Sequence, residues 1–87
     1  IKIEVITMSF IAVSNVELLD DYQLLVTFSN EESRIFDGSH LLSKPIFFPL
    51  RDLSLFQQAY ADYGGIAWND DLDLAAEYVY ENSIPIN

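Results

Sequence analysis

The sequence predicts an α+β domain, an antiparallel meander sheet of about four to six strands with two short helices packed on it. Three observations carry that expectation. Two runs rich in β-branched and aliphatic residues, 13–19 and 22–28, flank the turn-forming pair Asp20-Asp21. A Gly64-Gly65 pair separates two more short apolar runs. Helical spacing occurs in two short stretches, after Asp52 and from Ala76. With 87 residues, 51% hydrophobic and 21% charged, the chain has enough apolar surface for one core and is too short for two. It reads as a single domain, 1–87.

Each element has a local reason. Ile1, Ile3 and Val5 alternate with Lys2 and Glu4, a period of two that predicts a strand and argues against the basic start of a signal peptide, although Ala12-Val13-Ser14 loosely resembles a cleavage site. Residues 13–19 and 22–28 form a hairpin, and Ser29-Asn30-Glu31-Glu32 turns the chain into a third strand at 33–37. Asp37-Gly38-Ser39 stops that strand, leaving His40-Leu41-Leu42-Ser43 room for one helical turn before Lys44-Pro45. Pro45 and Pro49 bracket Ile46-Phe47-Phe48, which therefore reads as a packed connection rather than a central strand. Asp52 caps a short helix reaching Gln57 or Gln58, with Leu53 and Phe56 turned to the core. Residues 59–63 and 66–68 form a hairpin about Gly64-Gly65, residues 76–82 a last helix, and Pro85 ends any helix nearby.

Charge narrows the function. Fourteen acids against four bases give a net charge of −10, which repels phosphate backbones and anionic lipid, so neither nucleic acid nor a membrane is an expected partner. No apolar run reaches the roughly 18 residues of a membrane span. The absence of cysteine removes disulfides and thiolate chemistry. All four bases lie in residues 1–51, which carry seven acids and a net −3, whereas residues 52–87 carry seven acids, no base and a net −7.

Candidate catalytic and metal motifs fail in detail. Asn69-Asp70-Asp71-Leu72-Asp73 with Glu81 has the outline of a calcium loop, but Leu72 stands where an oxygen ligand is required and Ala75 where the sharp turn needs glycine. Asp37, Ser39 and His40 are too close in sequence for nucleophile and base to face each other, and no oxyanion loop accompanies them. Gly64-Gly65 lacks the Lys-Ser/Thr and the helix that a phosphate loop needs. The expectation is no enzyme, no cofactor, no metal and no catalytic residue. Trp68, the single tryptophan, reads as a core anchor or as an aromatic contact in a binding patch.

The order of blocks resembles a known family. Leu19-Asp20-Asp21-Tyr22-Gln23-Leu24-Leu25-Val26-Thr27-Phe28-Ser29-Asn30, Arg34-Ile35-Phe36-Asp37, Phe48-Pro49-Leu50-Arg51-Asp52, Leu55-Phe56, Gly64-Gly65-Ile66-Ala67-Trp68, Leu72-Asp73-Leu74 and Tyr80-Glu81-Asn82-Ser83 resemble the small bacterial proteins grouped as domain of unknown function 2442. The resemblance spans residues 13–83 and leaves 1–11 as an N-terminal extension. It implies a compact α+β domain without established activity. Members often sit beside a second small protein in a toxin–antitoxin-like arrangement, and some carry a helix-turn-helix that this chain lacks. Where the family usually has Asn-Gly, this chain has Asn30-Glu31, so a two-residue turn is disfavoured and a longer loop expected. The family's frequent proline is replaced by Ala76, which loosens the expected start of the last helix.

Together these readings predict a cytoplasmic protein–protein interaction module, the antitoxin-like acidic member of a two-protein system. A small basic protein is the expected partner, at a face formed by Asp62, Trp68, Asp70, Asp71, Asp73, Glu77 and Glu81. A homodimer through the N-terminal strand is a further expectation. The alternative is a small-molecule or ion sensor with its site by Trp68, Asp70 and Asp71, without catalysis.

Overall fold

The computed structural model describes residues 11–62, 64–69 and 72–86. Strands β1 (Val13–Leu18) and β2 (Gln23–Phe28) form the first hairpin. Their turn is closed by Leu19 N–H to the Gln23 carbonyl at 3.0 Å and Gln23 N–H to the Asp20 carbonyl at 3.1 Å. Asp21 takes φ +56°, a left-handed conformation that its short polar side chain tolerates. In β2 the period of two is strict: Leu24, Val26 and Phe28 are buried, while Gln23 is exposed and Leu25 and Thr27 are half-buried. Strand β3 (Ser33–Asp37) continues the meander, with Leu24 opposite Phe36 and no bulge in the pairing.

The second turn is the longer loop expected from Asn30-Glu31. Glu31 N–H donates to the Phe28 carbonyl and Phe28 N–H to the Glu32 carbonyl, both at 2.9 Å, so residues 29–31 form the loop and Glu31 carries φ +69°. The Asn30 side chain accepts from Glu32 N–H at 3.0 Å, fixing the loop from inside.

After β3 the chain coils. The Asp37 carboxylate accepts from Ser39 N–H at 3.0 Å and caps a 3-10 helix, Gly38–Ser43, somewhat longer than the single turn expected. A second 3-10 helix, Pro45–Arg51, follows. Three residues per turn place Phe47 and Leu50 in one buried row, while Ile46 and Phe48, at 65% and 47% exposure, point outward. The expected packed connection is thus packed on one face only. Helix α1 (Leu53–Phe56) is capped as expected, Asp52 Oδ1 accepting from Ser54 N–H at 3.1 Å and its hydroxyl at 2.8 Å.

Strands β4 (Tyr60–Asp62), β5 (Gly65–Asn69) and β6 (Leu72–Leu74) make a second, separate antiparallel sheet. Gly64 supplies φ +86° at the β4–β5 turn. Helix α2 (Ala76–Glu81) leads to β7 (Ser83–Pro85), which crosses back to pair with β3, Ile35 opposite Ile84. The α+β class holds; the described residues form seven strands in sheets ordered β1-β2-β3-β7 and β4-β5-β6 rather than one sheet of four to six. Both sheets feed one core, in which Val26, Phe28 and Phe36 join Phe56, Ile66, Trp68 and Val79. No helix among the described residues is long and apolar enough to cross a membrane. The strand and the dimer contact expected of the N-terminal extension rest on residues 1–10, which lie outside those described.

Candidate functional site

Sheet pairing decides where the acidic residues point. Strand alternation buries Leu72 and Leu74, so Asp73 between them faces out. Ala67 pairs with both Tyr60 and Asp73, and Gly65 pairs with Asp62, which places Asp62 and Asp73 on the outer face of the β4-β5-β6 sheet. Only a methyl group and a hydrogen lie between them on β5.

Glycine brings the helix to that face. A Cβ at Gly65 would collide with the Leu74 carbonyl, so the backbone of Leu74 and Ala75 lies closer to β5 than any other residue allows. Gly64 accepts Val13 N–H at 2.7 Å and thereby ties the same turn to β1. Helix α2 starts at once after Ala75, with Ala76 buried and Glu77 exposed in its first turn. The result is an open cleft of about 440 Å³ lined by Asp62, Asp73 and Glu77 among Ile11, the two glycines and Ala76. None of the three carboxylates has a basic side chain within ion-pairing distance among the described residues. Glu81 lies one helical turn beyond Glu77 on the same helix, outside the cleft lining.

Of the expected face, then, Asp62, Asp73 and Glu77 converge, Glu81 extends the charge along α2, and Asp70 and Asp71 lie outside the described residues. Trp68 does not join them. Its ring is 3% exposed, packed against Phe47 and Phe56, and its indole N–H donates to the Phe56 carbonyl at 2.9 Å. It is the core anchor, with neither an open face nor a free donor for a ligand.

His40 is exposed, its Nδ1 2.8 Å from the Asp37 carbonyl oxygen and its Nε2 3.0 Å from the Tyr78 hydroxyl. Both ring nitrogens are committed, and neither of these partners is Ser39. The Ser39 N–H and hydroxyl hold the Asp37 carboxyl below its ordinary range. Among the described residues no group of three or more His, Cys, Asp or Glu side chains is arranged to hold a metal ion.

One polar cluster had no signal in the motif pattern. Arg34 donates from Nη1 to Glu32 at 2.6 Å, from Nε to the Ser83 hydroxyl at 2.8 Å and from Nη2 to the Ser83 carbonyl at 2.7 Å. Its guanidinium also lies 4.3 Å over the Tyr80 ring, whose hydroxyl donates to Glu32 at 2.6 Å. The Tyr80 hydrogen bond, then Arg34, holds the Glu32 carboxyl below its ordinary value, and the same bond raises the Tyr80 phenol. Every group here is already partnered by its neighbours, so the cluster clamps α2 and β7 to β3. A lone base on an inward position of β3 was its one trace in the sequence.

A family model described as a protein of unknown function, DUF2442, matches residues 13–85. The chain belongs to the DUF2442 family. That match begins at β1 and ends with β7, so the DUF2442 unit includes both sheets, the clamp and the three cleft carboxylates, while Ile11 of the cleft lining precedes it. No curated protein and no solved structure matches the chain.

Proposed function

We propose that this DUF2442 domain is a non-catalytic interaction module whose acidic cleft receives a basic segment of a partner protein. The observation that carries the reading is the convergence of Asp62, Asp73 and Glu77 on one cleft without a compensating base among the described residues, in residues 52–87, which hold seven acids and no Lys or Arg. Self-repulsion of that kind costs stability, and a complementary partner relieves it on binding. The antitoxin-like role implied by the family resemblance is one form of this module. The sensor alternative loses Trp68 as a ligand contact, because its ring and its N–H are both used inside the core; Asp70 and Asp71 lie outside the described residues.

Exposed charges act mainly on encounter, so the test is kinetic. The small protein that co-purifies from the native host is immobilised, and association is measured at low and at physiological salt for wild type and Asp62→Lys/Asp73→Lys. Association of the wild type should slow with salt, over a Debye length of roughly 8 Å at physiological ionic strength, and that of the variant should be about tenfold slower at low salt. Equal association rates in all four conditions would place the contact elsewhere.

A further inference from the structure

The second 3-10 helix carries a surface of opposite chemistry. In its three-residue period, Phe47 and Leu50 form the buried row, Pro45, Phe48 and Arg51 a second row, and Ile46 and Pro49 a third. Ile46 is 65% exposed and Phe48 47%, two large apolar side chains on adjacent rows of the helix. Such a pair is ordinarily buried, because each side chain contributes about 1.5–3 kcal/mol when fully removed from water.

Two cations flank it. Lys44 immediately precedes the helix, its exposed side chain making no cap hydrogen bond, and the Arg51 guanidinium lies 4.6 Å over the Phe48 ring. Arg51 is held in place by its Nε–H donating to the Leu42 carbonyl at 3.0 Å, and by the Tyr22 hydroxyl donating to the Arg51 carbonyl at 2.6 Å. Neither Lys44 nor Arg51 has a carboxylate within ion-pairing distance among the described residues, in a chain where acids outnumber bases fourteen to four. The adjacent Asp52 carboxylate is occupied by the cap of α1. Arg34, by contrast, is neutralised by Glu32. Two of the chain's four bases thus adjoin Ile46 and Phe48 with no ion-pair partner among the described residues.

We propose that this surface docks an acidic segment of a partner protein that carries an apolar or aromatic side chain. The apolar residue covers Ile46 and Phe48, and the acids meet Lys44 and Arg51. The surface shares no residue with the acidic cleft and does not depend on it. Local charge selects the occupant: both cations repel a basic segment here, and an extended anionic lipid surface meets the chain's whole net charge of −10, whereas a short acidic segment, screened beyond a Debye length, meets mainly the two cations.

The test is a ¹⁵N-edited titration of the full chain with three short synthetic peptides. One is acidic and contains a phenylalanine and a leucine, one has both replaced by serine, and one is basic with the apolar pair retained. The first should give saturable shifts at the amides of residues 46–51, weakened about tenfold by Phe48→Ser and by Lys44→Glu, and the other two none there. Both substituted side chains are well exposed, and Ile46→Ser replaces Phe48→Ser should the latter fail to fold. No shift with the acidic apolar peptide, equal binding of its serine counterpart, or unchanged affinity in the variants overturns the proposal. So does co-sedimentation with phosphatidylglycerol vesicles, or self-association on concentration, that Phe48→Ser abolishes, since the occupant is then a membrane or a second copy.

Discussion

Glu31 holds φ +69° at the third position of the β2–β3 loop, a conformation that costs an L-residue with a Cβ about 1–2 kcal/mol. Asp21 takes a similar φ of +56° at less cost, because a short side chain can bond its own backbone. The Asn-Gly of the family resemblance supplies at this loop a glycine that needs no such strain. Replacing Glu31→Gly should therefore raise stability by about 1 kcal/mol, the relief of strain exceeding the extra entropy glycine brings to the unfolded chain. Chemical denaturation of wild type, Glu31→Gly and Glu31→Gln separates conformation from charge, since Gln removes only the charge. A gain in Gln equal to that in Gly would assign the effect to repulsion by Glu32. The disfavoured tight turn was visible at this residue because turn chemistry is local. Which residue takes the left-handed position follows from the pairing of Phe28 with Glu32, and that pairing is set by the strands.

At the scale of elements, β7 and the second 3-10 helix escaped the reading of the sequence for different reasons. Ser83–Pro85 is short and holds a proline, which lacks the N–H a central strand uses; it survives as the edge strand beyond β3 because Arg34 binds the Ser83 hydroxyl and carbonyl. Ile46-Phe47-Phe48 looks uniformly apolar, and the 3-10 period that buries Phe47 and exposes its neighbours is chosen by Pro45, Pro49 and the tertiary anchors of Arg51. The β3–β7 clamp also sets a pH dependence. Glu32 is held below its ordinary carboxylate value of 4.5, so its contribution is fully present above that pH and is lost as pH falls through the lower value of the folded state. Glu32→Gln should melt lower than wild type at pH 7, with the difference shrinking in acid until the two curves meet. Thermal melts at stepped pH check this, and a constant difference down to strong acid would show that Glu32 contributes only packing.

For the whole molecule, a net charge of −10 makes salt a stabiliser. Melting temperature should rise between low and high sodium chloride, and rise less in Asp62→Asn/Asp73→Asn/Glu77→Gln, which removes three acids from one cleft. A salt response equal in both proteins would spread the repulsion evenly over the surface and weaken the case for a concentrated acidic face. The α+β class, the β1-β2-β3 meander, the Asp52 cap, the Gly64 turn and the charge imbalance were all written in residues near one another, where spacing, capping and turn chemistry act within a few positions. Separation into two sheets, the return of β7 to β3, the burial of Trp68 beneath Phe47 and Phe56, and the gathering of Asp62, Asp73 and Glu77 join residues far apart in the chain. Local periodicity shows that a side chain has an inner and an outer face to choose between; which distant surface meets it is settled only when the apolar faces of both sheets close on one core.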